Sequence, residues 1–326
     1  MGAMLALSGV GPVCPPPDML GSSGAMQEVR RLCQAAGEHA CTVLIHGETG
    51  TGKEVVARTI HALSRRRVGP FVAVDCTTLR DTLLESQLFG HERGAFTGAD
   101  RATMGFIRSA HGGTLFLDEI GDLDPVAQPR LLRCLQERAV VPLGGTRPVP
   151  VDVRVIAATH RDIAAMVREG RFREDLYYRL NVLRIDVPPL RRREGDAVLL
   201  ARHFLERLSA EDGGVPRRFT NEAEAAIAAY HWPGNVRELA NAVERAFVLS
   251  RGSEIAVEAL PAEVRGSSAV AASEEEGIVT LAEAERRLIE RALRMTGGNQ
   301  TRAAELLGIE RRRFYRKARA YGLTGD

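Results

Sequence analysis

Lysine is almost missing from this chain: Lys53 and Lys317 are the only two among 44 basic residues, and the rest are arginine. A skew of that size reads first as a coding bias and only second as phosphate recognition. With 42 acidic residues and a formal net charge of +2, the chain is no polycation that would coat nucleic acid or an anionic membrane indiscriminately, so any basic surface is local. Cysteine is scarce and scattered. Cys14, Cys33, Cys41, Cys76 and Cys134 are odd in number and show neither CxxC nor Cys/His spacing, which excludes a disulfide framework and a structural zinc and fits a reducing cytoplasm. No basic segment leads into an apolar one at the N-terminus, and no run of ~18 apolar residues occurs anywhere, which excludes a signal peptide and a membrane span. There is no internal repeat. What remains, 326 residues at 44% apolar and 26% charged, is the balance of a soluble globular chain of about two domains.

Along the chain the pattern changes four times. Residues 1–19 carry Gly11-Pro12-Val13-Cys14-Pro15-Pro16-Pro17, too short and Pro-rich to pack, and read as a leader. From 20 to 190, short apolar runs at 41–46, 71–76, 114–117, 151–157 and 182–187 alternate with helical periodicity such as that of Met26, Val29, Leu32 and Cys33. This is the βαβ signature of an α/β domain with a parallel sheet covered by helices. After Pro188-Pro189-Leu190 the strands stop, and residues 191–262 read as a small helical domain with helices at 196–208, 220–229 and 235–249. Residues 263–279 are small and polar with the acidic run Glu274-Glu275-Glu276, and read as a linker. The last segment, 280–326, holds eleven basic residues against six acidic ones, so the positive charge is concentrated at the end.

Gly47-Glu48-Thr49-Gly50-Thr51-Gly52-Lys53-Glu54 closes the first strand and opens a helix. That placement turns a glycine pattern into a phosphate site: the loop N–H groups and the helix N-terminus face the phosphates, and Lys53 adds a point charge. Glu54 stands where Ser or Thr usually supplies a magnesium ligand, so Mg2+ has to be held by phosphates, water and a carboxylate from elsewhere. Thr114-Leu115-Phe116-Leu117-Asp118-Glu119, an apolar strand ending in two acids, supplies one. Asp118 is the expected metal partner and Glu119 the expected base for an attacking water. The cofactors implied are ATP and Mg2+.

At Gly94-Ala95-Phe96-Thr97-Gly98-Ala99 the chain resembles the GAFTGA loop of bacterial enhancer-binding proteins, the AAA+ activators of sigma-54 RNA polymerase. Two glycines flank an aromatic–hydroxyl pair, which suits a mobile surface loop presenting Phe96 and Thr97 to a partner. The resemblance runs from Met19 through Leu249 and again from Thr280 to Leu323. It implies an AAA+ parallel sheet, a helical lid and a C-terminal all-α helix-turn-helix domain. It also implies an ATPase ring, expected to be a hexamer, in which Arg173 and Arg179 reach the neighbouring subunit's nucleotide. Thr159 resembles the family's first sensor and Arg237 the second, whereas Trp232 reads as a core residue of the lid. Asp75 sits where many members carry an Asn that restrains the catalytic Glu; ionised, its side chain accepts but cannot donate, which puts that switch in doubt. Gln128-Pro129-Arg130 also departs from the family, which more often has a non-proline residue before a Lys.

Thr296 to Lys317 reads as two short helices around a Gly308 turn, and resembles the Fis-type DNA-binding domain of these activators. The second helix would enter the major groove with Arg311, Arg312 and Arg313, leaving Arg316 and Lys317, with Arg302 nearby, for further contacts to double-stranded DNA. Glu310 takes the place of the usual Ser cap. The short leader leaves no room for a receiver domain, so control is expected from a regulator acting in trans. Taken together, the resemblance implies an activator that binds enhancer DNA and hydrolyses ATP to open promoter complexes of sigma-54 holoenzyme, in the cytoplasm and at the nucleoid when DNA-bound. A DNA-binding regulator with a vestigial ATPase is the alternative, and Lys53, Asp118 and Glu119 argue against it.

Overall fold

A computed structural model describes residues 19–77, 82–96, 99–213, 216–266 and 281–323. These fall into two compact units divided after Gly266. The leader and nearly all of the expected linker lie outside the described residues, as do Thr97 and Gly98.

The first unit is built on five parallel strands, β1 (Val43–His46), β2 (Phe71–Asp75), β3 (Thr114–Asp118), β6 (Arg154–Thr159) and β7 (Leu183–Asp186), in the order β2-β3-β6-β1-β7. Alternate residues serve opposite faces. Leu44, Leu115, Leu117 and Ala157 pack into one core, while Val43, Ile45, Phe116, Ile156 and Ala158 pack into another beneath α1 (Gly24–Glu38) and α2 (Lys53–Ala62). Burial on both faces is why the central strands β1, β3 and β6 read as nearly continuous apolar runs. The fold is the expected α/β class. The strand expected at 151–157 begins later, at Arg154, because Val149–Pro150 (β5) pairs with Ala139–Val140 (β4) and the Val151 N–H donates to the Arg138 carbonyl at 2.8 Å.

The lid follows as helices at Asp196–Glu211, Asn221–Ala229 and Asn235–Leu249. Thr220 caps the second of these, accepting from the Ala223 N–H at 3.3 Å. Trp232 is buried at the centre of the lid's own core, its Nε1–H donating to the Ile227 carbonyl at 2.9 Å. Strands do not stop entirely after Pro189: Arg218–Phe219 pairs with Glu254–Ile255, a two-residue ladder too short to leave a periodic signal. Cys33 and Cys76 are free thiols pushed up to about 12 by burial, hence inert. Among the described residues no helix is long and apolar enough to cross a membrane.

The second unit is a three-helix cluster, Leu281–Met295, Gln300–Leu306 and Arg311–Ala320, closed around Ile289, Leu293, Ala303, Ala304, Phe314 and Ala318. Its first helix adds to the two expected from the sequence pattern.

Candidate functional site

The nucleotide loop is pinned before it turns. At its start the Gly47 N–H donates to the Thr159 carbonyl at 3.2 Å, and on β1 the His46 carbonyl accepts from Val187 at 2.7 Å, so β6 and β7 hold the end of β1. Gly50 (φ 80°) and Gly52 (φ 96°) then take left-handed backbone, which glycine adopts without a Cβ penalty. At Gly50 a Cβ would stand 2.4 Å from the Gly234 carbonyl. That close approach lets the Gly50 carbonyl accept from Val236 at 3.0 Å and Arg237 at 3.3 Å, fastening the lid to the loop.

A cleft of about 530 Å³ opens beside the loop, within the size range of small-ligand sites. Of the loop residues, Thr49, Gly50, Gly52, Lys53 and Glu54 line it, joined by Asp75, Asp118, Glu119, His160 and Arg237. Gly47, Glu48 and Thr51 do not. The Thr51 hydroxyl donates to the Glu48 carbonyl at 2.8 Å. The Glu48 carboxylate is engaged by Arg191 of the lid, which holds it well below the ordinary carboxylate range, at about 2. Expected as a nucleotide contact, its side chain is instead part of the lid–loop clasp. Glu54 lies at the cleft but accepts from Arg58, one turn on, at 2.6 Å.

Lys53 is buried, and its Nζ donates to the Gly47 carbonyl at 3.0 Å while lying 3.1 Å from Glu119 Oε1. β3 delivers Asp118 directly opposite Asp75 of β2. Burial and the neighbouring Glu119 raise the Asp118 carboxyl above its usual value. Burial would raise Glu119 too, but hydrogen bonds from His160 and the Lys53 charge outweigh it and hold Glu119 low. Glu119 Oε2 accepts from the His160 backbone N–H at 3.0 Å and pairs with His160 Nδ1 at 2.7 Å. Asp75 Oδ1 accepts from the Thr77 N–H at 2.8 Å and the Thr77 hydroxyl at 2.7 Å.

The other expected site residues are dispersed. Thr159 is buried and does not line the cleft; its Oγ1 accepts from the Arg161 N–H at 3.0 Å. Arg173 and Arg179, before and on the helix Glu174–Leu180 respectively, are also outside it: Arg173 pairs with Asp175 at 2.7 Å, and Arg179 donates to the Leu135 carbonyl at 3.0 Å. In the loop, Gly94 is left-handed and donates to the Ala99 carbonyl at 2.9 Å, and Ala99 is buried. Ala95 packs so closely on Gly144 that a Cβ there would stand 2.8 Å from its own. Phe96, expected to be exposed, is half-buried and lies edge-on to His91 with ring centroids 5.0 Å apart. On the second unit Arg302, Arg311, Arg312, Arg313 and Arg316 are exposed. Lys317 is not offered outward in the same way: it is ion-paired with Glu285, which also accepts from the Tyr321 hydroxyl at 3.0 Å.

Three family models match consecutive parts of this chain: the Sigma-54 interaction domain over residues 19–186, the AAA+ ATPase lid domain over 191–277, and the bacterial regulatory protein Fis family over 280–321. The chain belongs to the sigma-54-dependent transcriptional activators. Transcriptional regulatory protein ZraR of Escherichia coli K12 is 51% identical over 299 residues, covering 92% of this chain and 68% of ZraR. Regulatory protein AtoC of the same strain is 45% identical over 312 residues, covering 94% and 68%. Among solved structures, NtrX from Brucella abortus in complex with ATP superposes with a TM-score of 0.70 at 36% identity, covering 94% of this chain and 69% of that one.

In this sigma-54-dependent activator two residues at the site lie outside what the sequence pattern marks. His160 is the nearest partner of Glu119, and nothing in a lone His after a strand points to it. Asn235 is fully buried with φ 54°, its Oδ1 accepting from the Leu190 N–H at 2.8 Å and its Nδ2 donating to the Thr49 carbonyl at 3.1 Å. Its position just after Pro233-Gly234, at the start of a helix, is the one signal of a special backbone conformation there.

Proposed function

We propose that this activator binds ATP with Mg2+ in the cleft, hydrolyses it within a ring of copies of itself, and uses the cycle to convert sigma-54 RNA polymerase holoenzyme from closed to open promoter complex. The observation that carries the reading is the convergence of Lys53, Asp118 and Glu119 at the carboxyl ends of β1 and β3, beside a glycine loop opening α2. Ligands of parallel α/β sheets bind at such strand ends. The residues fit the group: left-handed Gly50 and Gly52 leave the loop free of side chains where phosphates approach, and the buried Lys53 ammonium faces the same space. Asp118 would hold the Mg2+, which when bound would supply charge against the phosphate oxygens. Glu119 takes the proton of the attacking water. Arg237 faces the phosphates from the lid, while Arg173 and Arg179, which do not line their own chain's cleft, serve the neighbouring subunit's. Residues 94–99 meet sigma-54. The working division is an AAA+ domain at 20–190, its lid at 191–262, a connection at 263–279 and a DNA-binding domain at 280–326. In that last domain Arg302, Arg311, Arg312, Arg313 and Arg316 face enhancer DNA.

The test is open-complex formation by sigma-54 holoenzyme on supercoiled promoter DNA beside a matched ATPase assay. Melting that requires hydrolysable ATP and is lost in Thr97→Ala, with turnover largely kept, is expected. Brisk turnover without melting in the parent chain would overturn the remodelling role.

A further inference from the structure

The carboxylate that the proposed hydrolysis needs is held at both of its oxygens. Glu119 Oε1 lies 3.1 Å from Lys53 Nζ, and Oε2 takes two contacts from one residue, the His160 backbone N–H at 3.0 Å and the imidazole Nδ1 at 2.7 Å. An ionised carboxylate only accepts, so the second contact places a proton on Nδ1. Glu119 also has left-handed backbone at φ 50°, a conformation that a side-chain-bearing residue keeps only where surrounding contacts hold it. Asp75 lies across from the neighbouring Asp118 in the β2–β3 pairing. It is itself an acceptor, with Oδ1 already taking both Thr77 donors, and offers Glu119 no proton when ionised.

We propose that His160 is the latch on Glu119: while its imidazole is engaged the carboxylate is withheld from water, and turnover begins when the latch opens. This rests on Glu119 being the base, as proposed above. The two restraints differ in what releases them. Lys53 is the group that nucleotide phosphate attracts, so nucleotide binding frees Oε1. His160 has no reason to leave for phosphate and remains the standing restraint. It is also mechanically placed. The turn after Glu119 (Ile120–Asp122) and the turn after Thr159 are joined a second time by the Arg161–Asp122 ion pair. They pack so closely that a Cβ on Gly121 would stand 3.0 Å from Thr159 Oγ1. A shift of one turn against the other opens both contacts together, which couples Glu119 to movements of the chain between β6 and the helix Ile163–Arg168.

His160 is thus a positioning residue, and its removal is expected to accelerate the unstimulated enzyme. The experiment is steady-state ATPase kinetics of the full chain, with and without sigma-54 holoenzyme, for the parent, His160→Ala, His160→Asn and Glu119→Gln. In His160→Ala, kcat without holoenzyme is expected to rise by about tenfold, as for removal of one charge-assisted hydrogen bond. The KM for ATP stays within about twofold, which also shows that the variant folds and binds. Stimulation by holoenzyme falls in proportion. His160→Asn, which keeps an N–H donor, is expected to return most of the restraint. An unchanged or lowered kcat in His160→Ala overturns the latch, as does an equal rise in both variants, since the missing hydrogen bond would then not be the cause. Glu119→Gln separates the two readings. If it is inactive while His160→Ala is unchanged, the latch alone fails; if it still turns over, the base assignment fails and the latch with it.

Discussion

The nucleotide cleft and the terminal three-helix unit use charge in opposite ways. In the cleft most charged groups are already committed within the chain: Lys53 to two carbonyls and Glu119, Glu119 to His160, Glu54 to Arg58. On the terminal unit Arg311, Arg312, Arg313 and Arg316 stand exposed on one short helix, whereas Lys317 is drawn inward, to Glu285. A site that acts on a small ligand gains from groups fixed before the ligand arrives. A surface that meets a polyanion gains from mobile charges that exchange counterions for phosphates. Residues 94–99 carry no charged side chain at all, and of them Phe96 is half-buried on His91 and Ala99 is buried.

The sharpest break of this contrast is Glu119→Gln, which is isosteric and keeps the packing. Turnover is expected to fall by about 10²–10⁴-fold, as for removal of a general base, with nucleotide affinity retained, read by ATPase assay beside equilibrium nucleotide binding. The opposite pattern is expected at the other end of the chain. Replacing Arg312 and Arg313 together with Ala should weaken enhancer binding by about 1–3 kcal/mol for each arginine that reads a base and flatten its salt dependence, with kcat unchanged. Equal loss of both activities in either variant would contradict the division of labour.

The smallest effect is at the lid clasp. Glu48 is held at about 2 against an ordinary 4.5, so its pairing with Arg191 contributes stability above about pH 4.5 and loses it as pH falls toward 2. Because Glu48 and Arg191 are 43% and 39% exposed, solvent screens the pair and Glu48→Gln should cost less than about 1 kcal/mol at neutral pH. The gap in denaturant midpoint between parent and variant is expected to close on acidification. A gap that widened as pH fell would contradict the clasp.

Much of the fold is readable because burial on both sheet faces writes the central strands β1, β3 and β6 as nearly unbroken apolar runs, while the edge strand β7 shows itself by alternation of Leu183 and Ile185 with Arg184 and Asp186. The edges are less legible. The run at 151–157 mixes a hairpin residue with a central strand, since Val151 and Ile156 are equally apolar. The amphipathic helix at Leu281–Met295 is overshadowed by the glycine turn after it. The Lys53, Asp118 and Glu119 cluster is legible because a glycine loop after one strand and two acids after another arrive at the same sheet edge. The side chains of Glu48 and Lys317 depart from expectation for a common reason: a charge in a motif looks available until the partner across the fold is known.

By itself, then, the sequence determined what local chemistry can determine: the strands of the parallel sheet to within a few residues, where glycines let the backbone curl between a strand and a helix, and which short segments carry acids, lysine or arginine. Only the tertiary structure decided which of those groups meet. His160 is far from Glu119 along the chain and Asn235 is far from the glycine loop, and their contacts arise from parallel strand order and lid packing. Long-range hydrogen bonds of that kind depend on register and approach distance between elements, quantities that no periodicity in the chain encodes.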